Sequence, residues 1–151
     1  WGAVFPDRSD RRHADLLAIR QSRAMADRVE LDLRPVRWDR AVWEEGDVEG
    51  APMVLLFEMN VEGNVLRQVE LAGPDQTPIA AASAAEWWEA QGWVRQAATP
   101  ATIAYEQRFG GLAEGSLHEW GPDYPGQQVS SDEFERAWTA ARQHLSGSAD
   151  T

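Results

Sequence analysis

The chain contains no cysteine, and none of its 14 basic residues is a lysine. The absence of cysteine excludes a disulfide framework, a thiolate zinc site and a cysteine nucleophile. No apolar run approaches the length of about 18 residues that a membrane-spanning helix requires. No charged segment followed by an apolar stretch indicates a secretory signal peptide. The expected location is therefore the cytoplasm, with no membrane partner.

The sequence also lacks the short motifs that mark common enzyme classes. It has no nucleophile elbow, no phosphate-binding loop and no dinucleotide-binding fingerprint. Its histidines are His13, His118 and His144, and no two of them stand at metal-ligand spacing. We therefore predict no cofactor, no metal site and no catalytic residue. One alternative stays open, because Glu114, Glu119 and Asp123 lie near His118 in the sequence and could form a carboxylate–histidine site with it.

Negative charge is present in excess, and it is unevenly placed. The 151 residues carry a formal net charge of −11. Residues 1–40 hold nine arginines against seven acidic residues, whereas residues 41–151 hold five arginines against 18 acidic residues. An acidic domain repels phosphate backbones, so we expect no nucleic-acid partner. The charge favours a basic protein partner, although solubility alone is the simpler explanation.

Apolar alternation predicts a sheet in the first half of the chain. The expected strands are Val29 to Trp38, Met53 to Met59, Val65 to Leu71 and, more weakly, Pro78 to Ala82. The second and third of these form a hairpin around Asn60 to Asn64. The segment 111–129 is long for a structureless loop, so it is either a functional loop or one with a hidden strand.

Capping signals predict helices in the second half. Ser83 with Glu86, and the run Ser130 to Glu133, match the capping box. Thr99-Pro100 places proline at a first helical position. Because strands cluster early and helices late, the expected fold is α+β. It consists of an antiparallel meander of about four strands packed by C-terminal helices.

The expected domain covers residues 29–145, and residues 146–151 are expected to be a disordered tail. Residues 1–28 form an N-terminal extension, in which Ser9-Asp10 can cap a marginal helix. The thin apolar stripe of that helix buries little. Residues 1–24 are thus either an ordinary helix or an upstream extension that the fold does not need.

Charged residues of the hairpin are the first candidate site. Glu58, Glu70 and Arg67 could approach one another across its two strands. Paired carboxylates can perform acid–base chemistry when burial separates their pKa values. The simpler alternative is a cross-strand salt bridge on the solvated face.

The stretch EWWEAQGW places Trp87, Trp88 and Trp93 within seven residues. Helical residues advance about 100° each, so the three indoles fan around the axis and cannot share one core face. Either Gly92 ends the helix and redirects Trp93, or at least one indole meets solvent or a partner. Tryptophan is enriched at interface hot spots. The simpler alternative buries two indoles and half-covers the third with the N-terminal helix.

Several motifs resemble a family of small uncharacterised bacterial domains that is common in actinobacteria. They are Val36-x-Trp38, Leu56-Phe57-Glu58, Arg67-x-Val69-Glu70, Ala113-Glu114-Gly115 and Ser131-x-Glu133-Phe134-x-x-x-Trp138. The resemblance spans about residues 29–145. It implies one compact domain with residues 1–24 as an addition, and it implies no activity.

The favoured function is a non-catalytic acidic binding protein that engages a basic protein, in the manner of an immunity protein or antitoxin. A second hypothesis is a small-molecule-binding protein or enzyme with a pocket between sheet and helices. That pocket would use Trp87, Trp88, Tyr105, Glu58 and Arg67. A third hypothesis is a subunit of a homo-oligomer or larger assembly, and the oligomeric state stays open.

Overall fold

The computed structural model describes residues 28–43 and 53–149. An antiparallel sheet of five strands, in the spatial order β4-β3-β2-β1-β5, forms its centre. The strands are β1 (Arg37–Trp43), β2 (Met53–Met59), β3 (Val65–Ala72), β4 (Thr77–Ser83) and β5 (Gln127–Val129). The α-helices of the described residues are α1 (Ala84–Gln91), α2 (Pro100–Phe109) and α3 (Ser131–Ala149), with a 3₁₀ helix at Leu117–Asp123. The predicted α+β meander is confirmed. The marginal N-terminal helix and the acidic residues 44–50 lie outside the described residues.

The first strand begins later than predicted. The prediction started at Val29, but residues 29–36 have no regular secondary structure and β1 starts at Arg37. The Val29 amide donates instead to the carbonyl of Trp93 at 2.8 Å, beside an isolated bridge between Arg28 and Val94. The start of this segment is therefore attached to the connection between α1 and α2, while Leu33 and Val36 are exposed to solvent.

A fifth strand lies within the long segment 111–129, which confirms the hidden-strand alternative. It pairs with the outer edge of β1, where Val129 is opposite Trp38 and Gln127 is opposite Arg40. Strand β5 has three residues, Gln-Gln-Val, and this is too short to show an alternating pattern. Its pairing occupies the edge hydrogen bonds that β1 would otherwise expose.

Both faces of the sheet are covered, which explains the continuous apolar run of β2. One face packs against α3, where Val54, Leu56, Val69 and Ala81 contact Phe134 and Ala141. The segment between α2 and β5 covers the other face, where Ala41, Leu55, Phe57, Met59 and Val65 contact Leu117. Helices α1 and α2 pack beside β4 at one end of this arrangement.

The predicted helix N-caps form. The hydroxyl of Ser83 accepts from the Glu86 amide at 3.3 Å, and that of Thr99 accepts from the Thr102 amide at 3.1 Å. Ser130 accepts from the Glu133 amide at 3.1 Å. These bonds satisfy amides that have no partner within the helix. The reciprocal half of the first capping box does not form, because the Ser83 amide donates to a tyrosine hydroxyl at 2.7 Å.

Helix α3 runs to Ala149, past the predicted boundary at residue 145. Residues 146–149 of the predicted disordered tail are therefore helical. The sequence Ser146-Gly147-Ser148-Ala149 contains no proline, and a single glycine costs a helix only about 1 kcal/mol.

Gly110, which caps the C-terminal end of α2, is expected to tolerate no side chain. Its φ of 85° and ψ of −177° lie in a region that only glycine adopts readily. A Cβ at this position would stand 2.5 Å from the Cβ of Ala80. We expect Gly110→Ala to lower the free energy of unfolding by about 3 kcal/mol, measured by urea denaturation.

The adjacent Gly111 provides the matched control. A Cβ there would meet no atom within 4 Å. Gly111→Ala is expected to change the free energy of unfolding by less than about 1 kcal/mol, because the substitution introduces no clash. Equal losses in the two variants would show that the approach of Gly110 to Ala80 does not constrain the fold.

Candidate functional site

An open cleft of about 500 Å³ lies where α1 and α2 approach the start of β3. Trp87 and Trp88 line it from α1, and Glu106 lines it from α2. The segment that precedes β1 and the segment that follows α2 supply the facing walls. The remaining lining residues are Val29, Glu30, Leu31, Asn64, Val65, Ala84, Arg95, Leu112, Ala113, Glu114 and Gly115. We call this the tryptophan cleft.

The three tryptophans of EWWEAQGW form one cluster. The rings of Trp87 and Trp88 meet edge to face, with centroids 4.7 Å apart and planes at 86°. Gly92 ends α1 in the left-handed conformation, and Trp93 follows with a φ of 59°. This turn brings the Trp93 ring back to stack on Trp88, with centroids 6.4 Å apart. The predicted redirection at Gly92 is confirmed, and all three indoles are half-buried.

Hydrogen bonds from the indole nitrogens orient two of these rings. Trp87 Nε1 donates to Glu106 Oε1 at 2.9 Å, which joins α1 to α2. Trp93 Nε1 donates to Glu89 Oε2 at 2.8 Å. Trp93 lines a neighbouring cleft of about 500 Å³ together with residues 28–31. Because both N–H groups are occupied, these two indoles offer a ligand their ring faces rather than a donor.

Counted over the described residues, the tryptophan cleft carries more negative than positive charge. Its ionisable lining residues are the acids Glu30, Glu106 and Glu114 and the base Arg95, and all four are exposed. Neither Glu30 nor Glu114 forms a hydrogen bond or ion pair through its side chain with another described residue. Aromatic faces therefore lie beside carboxylates whose oxygen atoms no side chain of residues 28–43 or 53–149 binds.

Tyr105 does not line the tryptophan cleft, in contrast to the prediction. Its hydroxyl accepts from the Ser83 amide at 2.7 Å and from Arg142 Nη2 at 3.1 Å, and it donates to Glu86 Oε1 at 2.7 Å. Burial, with the hydrogen bond to Glu86 as a further cause, raises the pKa of Tyr105 to about 12. Arg142 also donates to Glu86. This junction fixes α1 relative to α2, because Tyr105 of α2 donates to Glu86 of α1. It thereby positions Trp87 and Glu106, which directly follow Glu86 and Tyr105 in the sequence.

The raised pKa predicts how stability depends on pH. The folded pKa of Tyr105 is about 12 and its ordinary value is 10, so its stabilising effect is complete below pH 10 and is lost as the pH rises through 12. We expect Tyr105→Phe to lower the free energy of unfolding by roughly 1–3 kcal/mol at pH 8, because it leaves the Ser83 amide unpaired. The gap between wild type and variant should shrink as the pH approaches 12. Urea denaturation across this range measures it, and a constant gap would contradict it.

Glu58 and Arg67 form the predicted cross-strand pair, but they do so on a buried face and outside the tryptophan cleft. Arg67 Nε and Nη2 donate to the two oxygens of Glu58 at 2.7 and 2.6 Å. Trp38 Nε1 donates to Glu58 Oε2 at 3.0 Å. Glu58 is 5% exposed because α3 covers this face and places Glu135 as a second partner of Arg67.

Glu70 and His118 belong neither to the tryptophan cleft nor to the Glu58–Arg67 pair. Glu70 lies opposite Leu55 on the other face of the sheet from Arg67 and accepts from Gln68 Nε2 at 3.1 Å. The ring of His118 packs against Gly63, where an added Cβ would stand 2.8 Å from it. Among residues 28–43 and 53–149, no group of three or more histidine and carboxylate side chains could hold a metal ion. The carboxylate–histidine alternative therefore gains no support from the described residues.

The cleft also contains three charged residues that the sequence did not mark as candidates. Glu30 lies in a segment whose apolar alternation predicted a strand that does not form, and Arg95 lies in an irregular segment without periodicity. Glu106 could have been found, since the Thr99-Pro100 cap fixes the register of α2 and Glu106 follows the candidate Tyr105. The sequence did not indicate that α1 packs against α2, and this packing places Glu106 beside Trp87.

Comparison with protein-family models, with curated proteins and with solved structures gave no significant match. The resemblance to small actinobacterial domains therefore stays a prediction. Among the helices of the described residues, none is long and apolar enough to cross a lipid bilayer.

Proposed function

We propose that this protein is a non-catalytic binding protein of the cytoplasm that holds a positively charged protein partner, in the manner of an immunity protein or antitoxin. The tryptophan cleft carries the proposal, because it combines two indoles with three carboxylates against one guanidinium. Indole faces and carboxylates both attract cations. Complementary charge speeds the encounter of two proteins and discriminates between partners.

The hydrogen bonds of Glu58, the most buried carboxylate of the hairpin, support the non-catalytic part of the proposal. Both oxygens of Glu58 accept hydrogen bonds from Arg67, and one also accepts from Trp38. A general base needs a lone pair within reach of the proton that it removes. Glu58 is occupied by the protein itself, and the acids of the tryptophan cleft are exposed to water.

A titration with an oligo-arginine peptide tests the proposal, with tryptophan fluorescence as the signal. We expect binding that weakens steeply as salt is added, and no binding of an oligo-glutamate peptide. The double variant Glu106→Gln/Glu114→Gln is expected to weaken binding about tenfold, because it removes two of the three cleft carboxylates.

The control variant Asp75→Asn/Glu133→Gln removes the same charge elsewhere. Asp75 lies in the turn between β3 and β4, and Glu133 lies in the first turn of α3. We expect this variant to bind oligo-arginine within about twofold of wild type, since neither residue lines the cleft. Salt-independent binding, or none, would refute the proposed function.

A second candidate function is the binding of a small molecule, and the size of the cleft favours it. Its volume of about 500 Å³ lies within the range of ligand sites, which is about 300–1,000 Å³. A fluorescence screen of charged and neutral metabolites would test this candidate. A neutral metabolite that changes the emission of wild type, with Glu106→Gln/Glu114→Gln unaffected in its affinity, would favour it over the basic partner.

A further inference from the structure

We infer that the tryptophan cleft recognises a guanidinium group, namely an arginine side chain of the positively charged partner. This inference rests on the proposed function and names the chemical group that the cleft takes. It is drawn from how the protein binds its own arginines.

Arg67 shows the first internal example of such binding. The carbon of its guanidinium lies 5.0 Å from the ring centroids of both Phe134 and Trp138. The N–H groups of the same guanidinium donate to the carboxylates of Glu58 and Glu135. Aromatic faces thus cover the flat cation while carboxylates bind its edge, which suits the planar fork of arginine.

Arg142 repeats the arrangement from α3, one turn after Trp138. Its guanidinium carbon lies 3.9 Å from the ring centroid of Phe109 and 4.4 Å from that of Trp138. Its edge donates to the carboxylate of Glu86 and, at 2.8 Å, to the Ala81 carbonyl. The same combination of ring face and carboxylate therefore occurs twice in this chain.

The tryptophan cleft has the same components, and no arginine of the described part of the chain pairs with its carboxylates. Trp87 and Trp88 supply ring faces, and the bond from Trp87 Nε1 holds Glu106 beside them through a single oxygen. The other oxygen of Glu106 accepts no hydrogen bond from a described residue. Glu30 and Glu114 have both oxygens free in the same sense, so either can accept a bidentate pair of N–H groups.

These components favour guanidinium over the ammonium of lysine. A guanidinium is planar and weakly hydrated, so it stacks on an indole and keeps its edge for a carboxylate. An ammonium is compact and strongly hydrated, and an open cleft leaves its water shell in place. Arg95 lines the same cleft and forms no ion pair with a described residue. The positive charge of Arg95 repels another cation that enters the cleft.

Nuclear magnetic resonance titrations of the full chain with three small probes test the inference. The probes are N-acetyl-arginine amide, its lysine counterpart, and its citrulline counterpart, which has nearly the shape of arginine without the charge. We expect the arginine probe to shift the indole signals of Trp87 and Trp88 with a Kd in the millimolar range. The lysine probe should bind several-fold more weakly, and the citrulline probe at least about tenfold more weakly.

Three variants sharpen the test. Glu106→Gln/Glu114→Gln should weaken the arginine probe about tenfold, and Asp75→Asn/Glu133→Gln should leave it unchanged. Arg95→Gln should strengthen binding by about twofold to tenfold, because it removes a like charge. A misfolded Arg95→Gln variant would show an altered spectrum and would not bind the probe more tightly. The expected gain in affinity therefore cannot result from a loss of fold.

The outcomes separate the inference from the proposed function. Equal binding of citrulline or lysine, or an unchanged arginine affinity in Glu106→Gln/Glu114→Gln, overturns the inference. Concentration-dependent dimers that compete with the arginine probe would overturn it as well, since a second copy would then occupy the cleft. If oligo-arginine still binds in these cases with its salt dependence, the binding of a positively charged partner stands without specific recognition of a guanidinium group. If neither oligo-arginine nor N-acetyl-arginine amide binds, the inference and the proposed function both fail.

Discussion

Arg67→Met is expected to lower the free energy of unfolding by about 3–5 kcal/mol, because it leaves the Glu58 carboxylate buried without its counter-ion. Glu58 is 5% exposed, and only the 3.0 Å bond from Trp38 would remain. Methionine keeps the apolar stem of arginine but loses the guanidinium that covers Phe134 and Trp138, so the charge and the packing must be separated by a second variant. Urea denaturation monitored by circular dichroism measures the change.

The two carboxylates that share Arg67 provide the control. The Glu135 side chain is 51% exposed, so Glu135→Gln should cost less than about 1 kcal/mol. In the double variant Glu58→Leu/Arg67→Met, stability should return to within about 2 kcal/mol of wild type, because apolar residues then replace the whole pair. If the double variant is as unstable as Arg67→Met, an unpaired carboxylate is not the cause of the loss.

Phe134→Ala is expected to cost about 3–5 kcal/mol of unfolding free energy. Phe134 is 0% exposed in the core between α3 and the sheet, and its ring stacks with Trp138 at a centroid distance of 6.4 Å. It also lies under the guanidinium of Arg67. The substitution removes the buried ring and leaves a cavity at the point where α3 meets the sheet. The urea midpoint should fall while the slope of the transition stays unchanged.

Ile103→Ala is the matched control for this truncation. Ile103 lies on α2 with 47% of its surface exposed. Its removal is expected to change the free energy of unfolding by less than about 1 kcal/mol, since little apolar surface returns to water. A loss as large as that of Phe134→Ala would place Ile103 in an interface that the described residues do not contain.

The sequence predicted those parts of the fold that short-range interactions determine. The hydroxyls of Ser83, Thr99 and Ser130 each accept from an amide three residues further along, so residue type and spacing were sufficient. The hairpin from Met53 to Leu71 was predictable because a short turn fixes which residues face each other. The pairing of Glu58 with Arg67 followed from that register.

Long-range packing decided what the sequence could not predict. The Glu58–Arg67 pair was expected to be solvated, but α3 buries it, and nothing near Glu58 in sequence indicates where α3 packs. Tyr105 was expected in the cleft, but its hydroxyl satisfies the Ser83 amide at the end of β4. The alternation that starts at Val29 indicated a strand, yet no partner strand lies beside it in the described part of the chain.

The segment that carries Glu30 is held by few hydrogen bonds among the described residues, and this affects how fast a partner bound as proposed would be released. Around Glu30, the Val29 amide bonds to Trp93 at 2.8 Å and the Asn60 side chain bonds to the Asp32 carbonyl at 3.0 Å, without a continuous strand ladder. Among the described residues these two bonds hold the segment near Glu30, and breaking them costs far less than opening the sheet. We therefore expect the wall that carries Glu30 to open by local unfolding while the sheet stays intact, so that the release rate of a partner bound as proposed would not follow the global stability of the domain.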